Sequence, residues 1–415
     1  MDDWLEYQQS IHPRGIDLTL SRVAAVAERL DLLKPAYRVI TVAGTNGKGS
    51  TVEYCSRMLR AAGHRVGAFT SPHLLRYNER IRIDGEEASD EELVRAFEAI
   101  EAARGDTTLT FFEYNALAGL HVFRERAVDV AVLEVGLGGR LDAVNILDAD
   151  VAIVASIGFD HRDWLGDSLE AIGREKAGIF RAGRPAVLAD PAMTPAVAEE
   201  AARIGARVLW ASRDYRFQAD ADSTDGRWSL TCGNRRWAGL PRPALLGDVQ
   251  VANAAASIVA VAQLGLDVGD AAIHAALREA SVPGRFQRFG GDVEWILDVA
   301  HNEPAARVLA AQLARMPCDG RRYTVAGILT DKDIDAVARA LAPVTDEWIL
   351  CGIDDPRGLT SAALAARSPV FSGAREAVDI PAGIALARAL AKPGDRVVVC
   401  GSFLAVAPAL ATLRR

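Results

Sequence analysis

The run Val39-Ile40-Thr41-Val42-Ala43, leading into Gly44-Thr45-Asn46-Gly47-Lys48-Gly49-Ser50 and then a stretch of helical period, constrains this chain more than any other. A buried strand, a glycine-rich turn, a lysine and a hydroxyl at a helix start make a cradle for phosphate. The glycines let backbone N–H groups converge on phosphate oxygens, and the helix N-terminus favours negative charge there. Lys48 is placed to reach β- and γ-phosphates, and Ser50 to ligate Mg²⁺. Thr45, Asn46, Gly47, Lys48 and Gly49 are therefore the expected nucleotide contacts. The spacing departs from the usual phosphate loop, because Gly49 stands between the lysine and the hydroxyl.

The rest of the chain has the rhythm such a loop needs. Apolar β-rich runs at 38–43, 128–135, 149–157, 295–298, 323–327, 347–350 and 396–400 alternate with segments of helical period at 51–62, 169–180 and 304–315. Nearly all-apolar strands separated by helices indicate a parallel sheet covered on both faces. One stretch, 214–239, breaks the rhythm: Trp228, Leu230, Cys232 and Trp237 stand among polar residues and read as short antiparallel strands. Val282-Pro283-Gly284-Arg285 then punctuates the chain. The expected fold is α/β in two domains. Residues 1–284 would form a P-loop ATPase-like, mostly parallel sheet flanked by helices, and residues 285–415 a smaller Rossmann-like α/β domain.

Composition narrows the partners. With 47 basic and 55 acidic residues the formal charge is −8, which argues against a nucleic-acid scaffold or a polybasic membrane anchor. The five cysteines, at 55, 232, 318, 351 and 400, form no CxxC pair, so reduced thiols are expected. The N-terminus has no signal-peptide pattern, and no apolar run approaches the roughly 18 residues of a membrane span. A cytoplasmic protein, monomeric and without nucleic-acid or membrane partners, is the expectation.

The GTNGKGS loop resembles the ATP loop of the Mur-ligase superfamily of acid–amino-acid ligases. Further segments sharpen the likeness: Thr70-Ser71-Pro72-His73-Leu74, Arg76-Tyr77-Asn78-Glu79-Arg80, Glu134-Val135-Gly136-Leu137-Gly138-Gly139-Arg140-Leu141-Asp142-Ala143, Asp160-His161, and Gly173-Arg174-Glu175-Lys176-Ala177-Gly178-Ile179. Together they are similar to the folylpolyglutamate synthase family, most of all to its bifunctional bacterial form, which is also dihydrofolate synthase. The likeness runs from about Ile16 to Phe403 and is weakest around 185–245.

That resemblance implies a fold, a reaction and a set of residues. The first domain would bind ATP and the pteridine substrate, and the second would close over ATP and the incoming L-glutamate. ATP would convert a carboxylate of dihydropteroate or a folate into an acyl phosphate, from which the glutamate amine displaces phosphate. Two Mg²⁺ ions would be held by Ser50, Ser71, Glu134 and His161. Glu134 also stands at the carboxyl end of an apolar strand, where α/β sheets present ligands. Lys176 would carry a CO₂-derived carbamate near the second metal. Pterin recognition would come from Gly15, Ile16, Asp17 and Leu18, from Thr110, Phe111, Phe112 and Glu113, and from Leu141, Asp142 and Ala143. Aromatic faces there would stack on the heterocycle, and Asp142 would accept from its N–H groups. Asn253, Arg285 and Asp298 match ATP contacts, and His301 and Ser402 match positions near the γ-phosphate and the glutamate.

Two other readings stay open at this point. A peptidoglycan-precursor ligase shares the loop but not the GREKAGIF and pterin segments. A P-loop regulator or kinase would show no glutamate-dependent turnover and no need of a second domain.

Overall fold

The computed structural model describes residues 1–220 and 225–414; residues 221–224, within the stretch expected to be antiparallel, and Arg415 lie outside the described residues. The chain forms two compact units. The first comprises Met1–Gly158, Arg162–Ala244 and Gln250–Ala280, and the second Phe159–His161, Leu245–Val249 and Ser281–Arg415. A single cut at 284 therefore differs from the observed division, because two short excursions join the second unit. Polar pairing explains both: Asp160 is bound to Lys332, and Asp248 to Arg315.

The first unit is built on eight strands: β1 (Arg38–Ala43), β2 (Val66–Phe69), β3 (Ile81–Ile83), β4 (Glu86–Glu87), β5 (Val130–Glu134), β6 (Val151–Val154), β7 (Pro185–Leu188) and β8 (Arg207–Trp210). Their order is β4-β3-β2-β5-β1-β6-β7-β8, with β3 antiparallel to both of its neighbours and every other pair parallel. β5, β6 and β7 are buried at every position, as strands with both faces covered must be. The chain works to one side of β1 through β5 and then crosses to the other side for β6. A topological switch thus lies at the carboxyl end of β1, the place where such sheets hold ligands. The helix expected from residue 51 starts earlier, at Lys48, so Lys48, Gly49 and Ser50 form its first turn.

The polar-aromatic stretch forms β9 (Tyr215–Ala219), β10 (Trp228–Cys232) and β11 (Arg235–Leu240), an antiparallel sheet in the order β11-β10-β9. Leu230 stands opposite both Phe217 and Trp237. Trp228, Leu230 and Trp237 are buried, which fixes which face turns inward.

The second unit contains β12 (Gln287–Phe289), β13 (Glu294–Leu297), β14 (Arg322–Ala326), β15 (Glu347–Cys351), β16 (Arg375–Ala377) and β17 (Arg396–Cys400). Their order is β12-β13-β17-β14-β15-β16, parallel but for β12 at one edge. Asp298, Gly327 and Ser402 follow the carboxyl ends of the adjacent strands β13, β14 and β17. None of the five cysteines forms a disulfide. Among the described residues no helix is long and apolar enough to cross a membrane.

Candidate active site

Beyond β1 the backbone turns at Gly47, whose φ of 84° lies in the left-handed region, and which caps the helix Lys48–Ala61. A Cβ at this position would also sit 3.0 Å from Asn253 Oδ1, so only glycine fits and Asn253 is brought against the loop. Thr45 N donates to Ser156 O (2.8 Å) and Asn46 N to Ser156 Oγ (3.0 Å). These bonds clip the loop to the segment leaving β6. Lys48 Nζ folds over the loop and donates to Gly44 O (3.0 Å) and Thr45 O (3.3 Å). Ser50 Oγ, buried, accepts from Gln250 Nε2 (3.3 Å), and Gln250 Oε1 accepts from Asn253 Nδ2 (3.3 Å). Glu134 ends β5 and is buried. Its Oε2 accepts from Ser71 N (3.3 Å) and lies 3.7 Å from where a Gly49 Cβ would be. Six of the expected residues, Gly47, Lys48, Ser50, Ser71, Glu134 and Asn253, therefore meet at the helix N-terminus.

The three expected pterin segments also converge. Arg22 ties the first two, pairing with Asp17 Oδ2 (3.2 Å) and donating to Glu113 Oε1 (3.1 Å). Thr110 and Glu113 form a capping box at the start of the helix Phe111–Glu125, so both side chains already serve the backbone. Phe112 lies across Gly136, where a Cβ would come within 2.5 Å of its ring, joining the second segment to the third. Asp142 is buried and accepts from Gly136 N and Leu137 N (both 2.9 Å) and Val144 N (3.1 Å). Burial pushes its carboxyl up to about 6 against those three bonds. Its first task is thus to hold the turn that carries Leu141 and Ala143. Gly15 and Ile16 are exposed, while Asp17 and Leu18 are half-buried.

Lys176 is buried at 5% exposure, in the last turn of the helix Leu169–Ala177. That helix packs directly on the loop after β5. A Cβ at Gly139 would lie 2.9 Å from the carbonyl oxygens of Glu175 and Lys176, and one at Gly178 would strike Arg140. Asn145 Nδ2 locks the contact by donating to Arg140 O (2.9 Å) and Gly178 O (3.1 Å). Lys176 is therefore not a solvated surface lysine, despite its charged neighbours Arg174 and Glu175.

In the second unit Asp298 is half-buried and accepts from Phe286 N and Ala300 N (both 2.8 Å), while loss of solvation raises its carboxyl and the Arg285 charge opposes the rise. The Arg285 guanidinium lies 5.5 Å from the centre of the Phe403 ring. His301 Nδ1 hydrogen-bonds Val299 O (2.7 Å), which turns Nε2 toward Asp160 Oδ2 (3.4 Å). Ser402 is buried; its hydroxyl donates to Gly327 O and accepts from Ala405 N (both 2.9 Å), capping the last helix. His161, at φ 51° and partly exposed, belongs to this unit with Asp298, His301 and Ser402, whereas Ser50, Ser71 and Glu134 belong to the first.

The Mur ligase middle domain matches residues 42–261 and the Mur ligase glutamate ligase domain residues 284–403. A dihydrofolate synthase/folylpolyglutamate synthase of Escherichia coli K12 is 43% identical over 407 residues, covering 97% of this chain and 93% of its own. The chain belongs to this family of Mur ligases. Two solved structures superpose along its whole length. One is E. coli FolC in complex with DHPP and ADP, with a TM-score of 0.94 at 42% identity, covering 100% of this chain and 97% of the other. The second is a bifunctional folylpolyglutamate synthase/dihydrofolate synthase with Mn, AMPPNP and L-glutamate bound, with a TM-score of 0.92 at 44% identity, covering 100% and 98%.

The donors present in this Mur ligase suit a hard divalent cation. A buried carboxylate and two serines supply oxygen, the ligand type Mg²⁺ and Mn²⁺ prefer. Among the described residues no group of three or more His, Cys, Asp or Glu could hold a metal ion. A cation here would rely on nucleotide phosphates for much of its shell, as Mg²⁺ commonly does.

Sequence reasoning missed the centre of the second unit's cluster. Asp160 Oδ1 binds Lys332 Nζ (2.6 Å) and its Oδ2 accepts from Asn302 Nδ2 (3.0 Å), opposite His301. Burial works to raise this carboxyl, yet the His301 hydrogen bond and the charges of His161 and Lys332 hold it far below the usual carboxylate range. Asp160 and Lys332 side chains are 8% and 6% exposed, so theirs is a buried pair. Removing one partner of such a pair typically costs about 3–5 kcal/mol. Lys332 keeps Asp331 at 3.2 Å, so Asp160→Ala is expected to lower the unfolding free energy of the second unit by about 3 kcal/mol, the low end of that range. Urea denaturation checks this; an unchanged midpoint would show the pair to be energetically idle.

Proposed function

We infer that this chain is an ADP-forming ligase that joins L-glutamate to dihydropteroate, giving dihydrofolate, and to folates, extending their glutamate tails. The observation that carries this reading is the junction of loop, Ser71 and Glu134 beside three converging pterin segments, in a chain 43% identical to a named dihydrofolate synthase/folylpolyglutamate synthase.

The chemistry follows from the groups present. A carboxylate is a poor acyl donor, so phosphorylation must come first. A substrate carboxylate oxygen attacks the γ-phosphorus as the bond to the β,γ-bridging oxygen breaks, giving acyl phosphate and ADP. Lys48 and the helix N-terminus stabilise charge on the transferring phosphoryl, where fixed electrostatics supply most of the rate. A bound divalent cation supplies further neutralisation of that charge when ATP is present. Glu134, Ser71 and Ser50 would hold it, and His161 is proposed as a further metal ligand. The neutral amine of L-glutamate then attacks the acyl carbon, phosphate leaves with the electron pair of the C–O bond, and the nitrogen gives up one proton, which the departing phosphate or water takes. His301 and Ser402 are proposed to face the glutamate, Arg285 the phosphates, Asp298 the ribose hydroxyls, and Asn253 the nucleotide.

Lys176 is proposed to be carbamylated in the active enzyme, with a second cation nearby. The lysine amine, once neutral, adds to CO₂ and releases a proton, leaving an anionic carbamate oxygen. The step requires a neutral amine, and the Lys176 side chain is buried away from bulk water.

The test is ADP release in the presence of ATP and a divalent cation. Turnover is expected only when L-glutamate is supplied with dihydropteroate or tetrahydrofolate. ADP release that ignores glutamate would favour the phosphate-transferring regulator instead.

A further inference from the structure

We propose that Arg80 receives the substrate carboxylate that is to be phosphorylated, and so selects pterins that carry one. This rests on the reading of the first unit as the pterin and ATP site. Arg80 closes the short 3₁₀ turn Tyr77–Arg80 and is only 7% exposed. Its backbone carbonyl accepts from Thr70 N (2.9 Å), which fixes it beside Ser71. Its guanidinium lies 5.4 Å from the centre of the Phe111 ring and 5.9 Å from that of Tyr77, and Nε donates to His73 Nδ1 (2.7 Å). One face of the fork is thus turned to the aromatic platform proposed for the pterin, while the residue stands next to a proposed cation ligand.

The charge balance gives the site its purpose. Among the described residues Arg80 has the His73 hydrogen bond and no ion pair, and the negative charges it feels are those of Glu134 and Glu79. Glu79 is already engaged by the backbone N–H groups of Leu74, Leu75 and Arg76 at 2.7–2.8 Å. Once Glu134 turns its charge to a cation, the buried guanidinium needs another anion. A planar carboxylate suits it, because a guanidinium fork can bind both oxygens at once. Held that way, one oxygen is fixed while the other is aimed at phosphorus. A carboxylate joined to a pterin by a rigid aromatic spacer is the ligand class that can stack on the Phe111 platform and still present its carboxylate to the Arg80 fork beside it.

Equilibrium binding without nucleotide or metal tests this apart from turnover. Dihydropteroate, an analogue with a methyl group in place of the carboxylate, and ADP would each be titrated against wild type, Arg80→Gln and Arg80→Lys. Loss of a hydrogen-bonded charge pair predicts that Arg80→Gln weakens dihydropteroate by about tenfold or more. The methyl analogue and ADP should bind within about twofold of wild type, and Arg80→Lys should fall between, since it keeps charge but loses the fork. Equal weakening of dihydropteroate and the methyl analogue, or no weakening of either, overturns the assignment. Should Arg80→Gln not fold, as judged by its thermal transition, the same comparison is read from Arg80→Lys. A wild type that binds no dihydropteroate at all refutes the functional reading itself, a different outcome from variants that keep the wild-type preference.

Discussion

Lys48→Ala is expected to reduce ADP formation by at least a hundredfold while leaving the fold intact. The ammonium sits over its own loop, on Gly44 O and Thr45 O, at the N-terminus of the helix Lys48–Ala61. Removing one fixed donor from a site of developing charge typically costs about 10²–10³ in rate. Transfer of a phosphoryl group depends almost wholly on such positioning and electrostatics, because the protein supplies no covalent chemistry. The residue is only half-buried, so water can replace the ammonium at the two carbonyls, and the thermal transition should move little. Steady-state ADP release and a melting curve on the same sample decide the matter. Turnover within about tenfold of wild type, a loss of some 1.4 kcal/mol, would show that the loop is not the catalytic site.

What the sequence made legible is what depends on neighbours in the chain. Strand, loop and helix around Lys48 are contiguous, so their chemistry is readable in one segment, and Glu134 announces itself at the end of an apolar run. The antiparallel stretch was legible for the same reason, through alternating Trp228, Leu230 and Trp237. Strands β2, β7 and β8, each four residues long, were not among the expected runs, and β2 contains a glycine that lies against the Phe123 ring. The pairing of Asp160 with Lys332 was invisible for a different reason. Their bond spans 172 positions, and no local spacing encodes it. The excursion of Phe159–His161 into the second unit follows from that bond, which is why a single cut was expected. Arg80 stood in a quoted motif, yet an arginine is normally exposed, and nothing in RYNER announces burial under two aromatic rings. Lys176 is the intermediate case. Its neighbours Arg174 and Glu175 suggest a solvated face, but Ile172 lies four positions before it, on the same side of the helix. Ile172 is fully buried, so the helical phase carried the signal that the local charges obscured.

Lys176→Ala should lose activity through the cation site and not through the fold. The side chain is enclosed at 5% exposure, with its helix pressed on the loop after β5 through Gly139 and Gly178. An ammonium so placed would repel a second cation, whereas a carbamate offers the anionic oxygen that Mg²⁺ prefers. The alanine variant is therefore expected to fall by about a hundredfold or more in kcat, about 2.7 kcal/mol of barrier, with a smaller change in the KM for ATP. Short carboxylic acids such as formate or acetate should restore part of that loss by occupying the vacated space. They should do nothing for Lys48→Ala, whose missing group is a cation. Carbon-13 NMR of the wild-type enzyme in labelled bicarbonate should show a carbamate resonance that Lys176→Ala lacks. A variant that keeps turnover within about tenfold, or a wild type without the resonance while fully active, leaves Lys176 as a buried packing residue. Partial rescue without the resonance would place an exogenous anion, and not a carbamate, at the second cation, which also contradicts the modification.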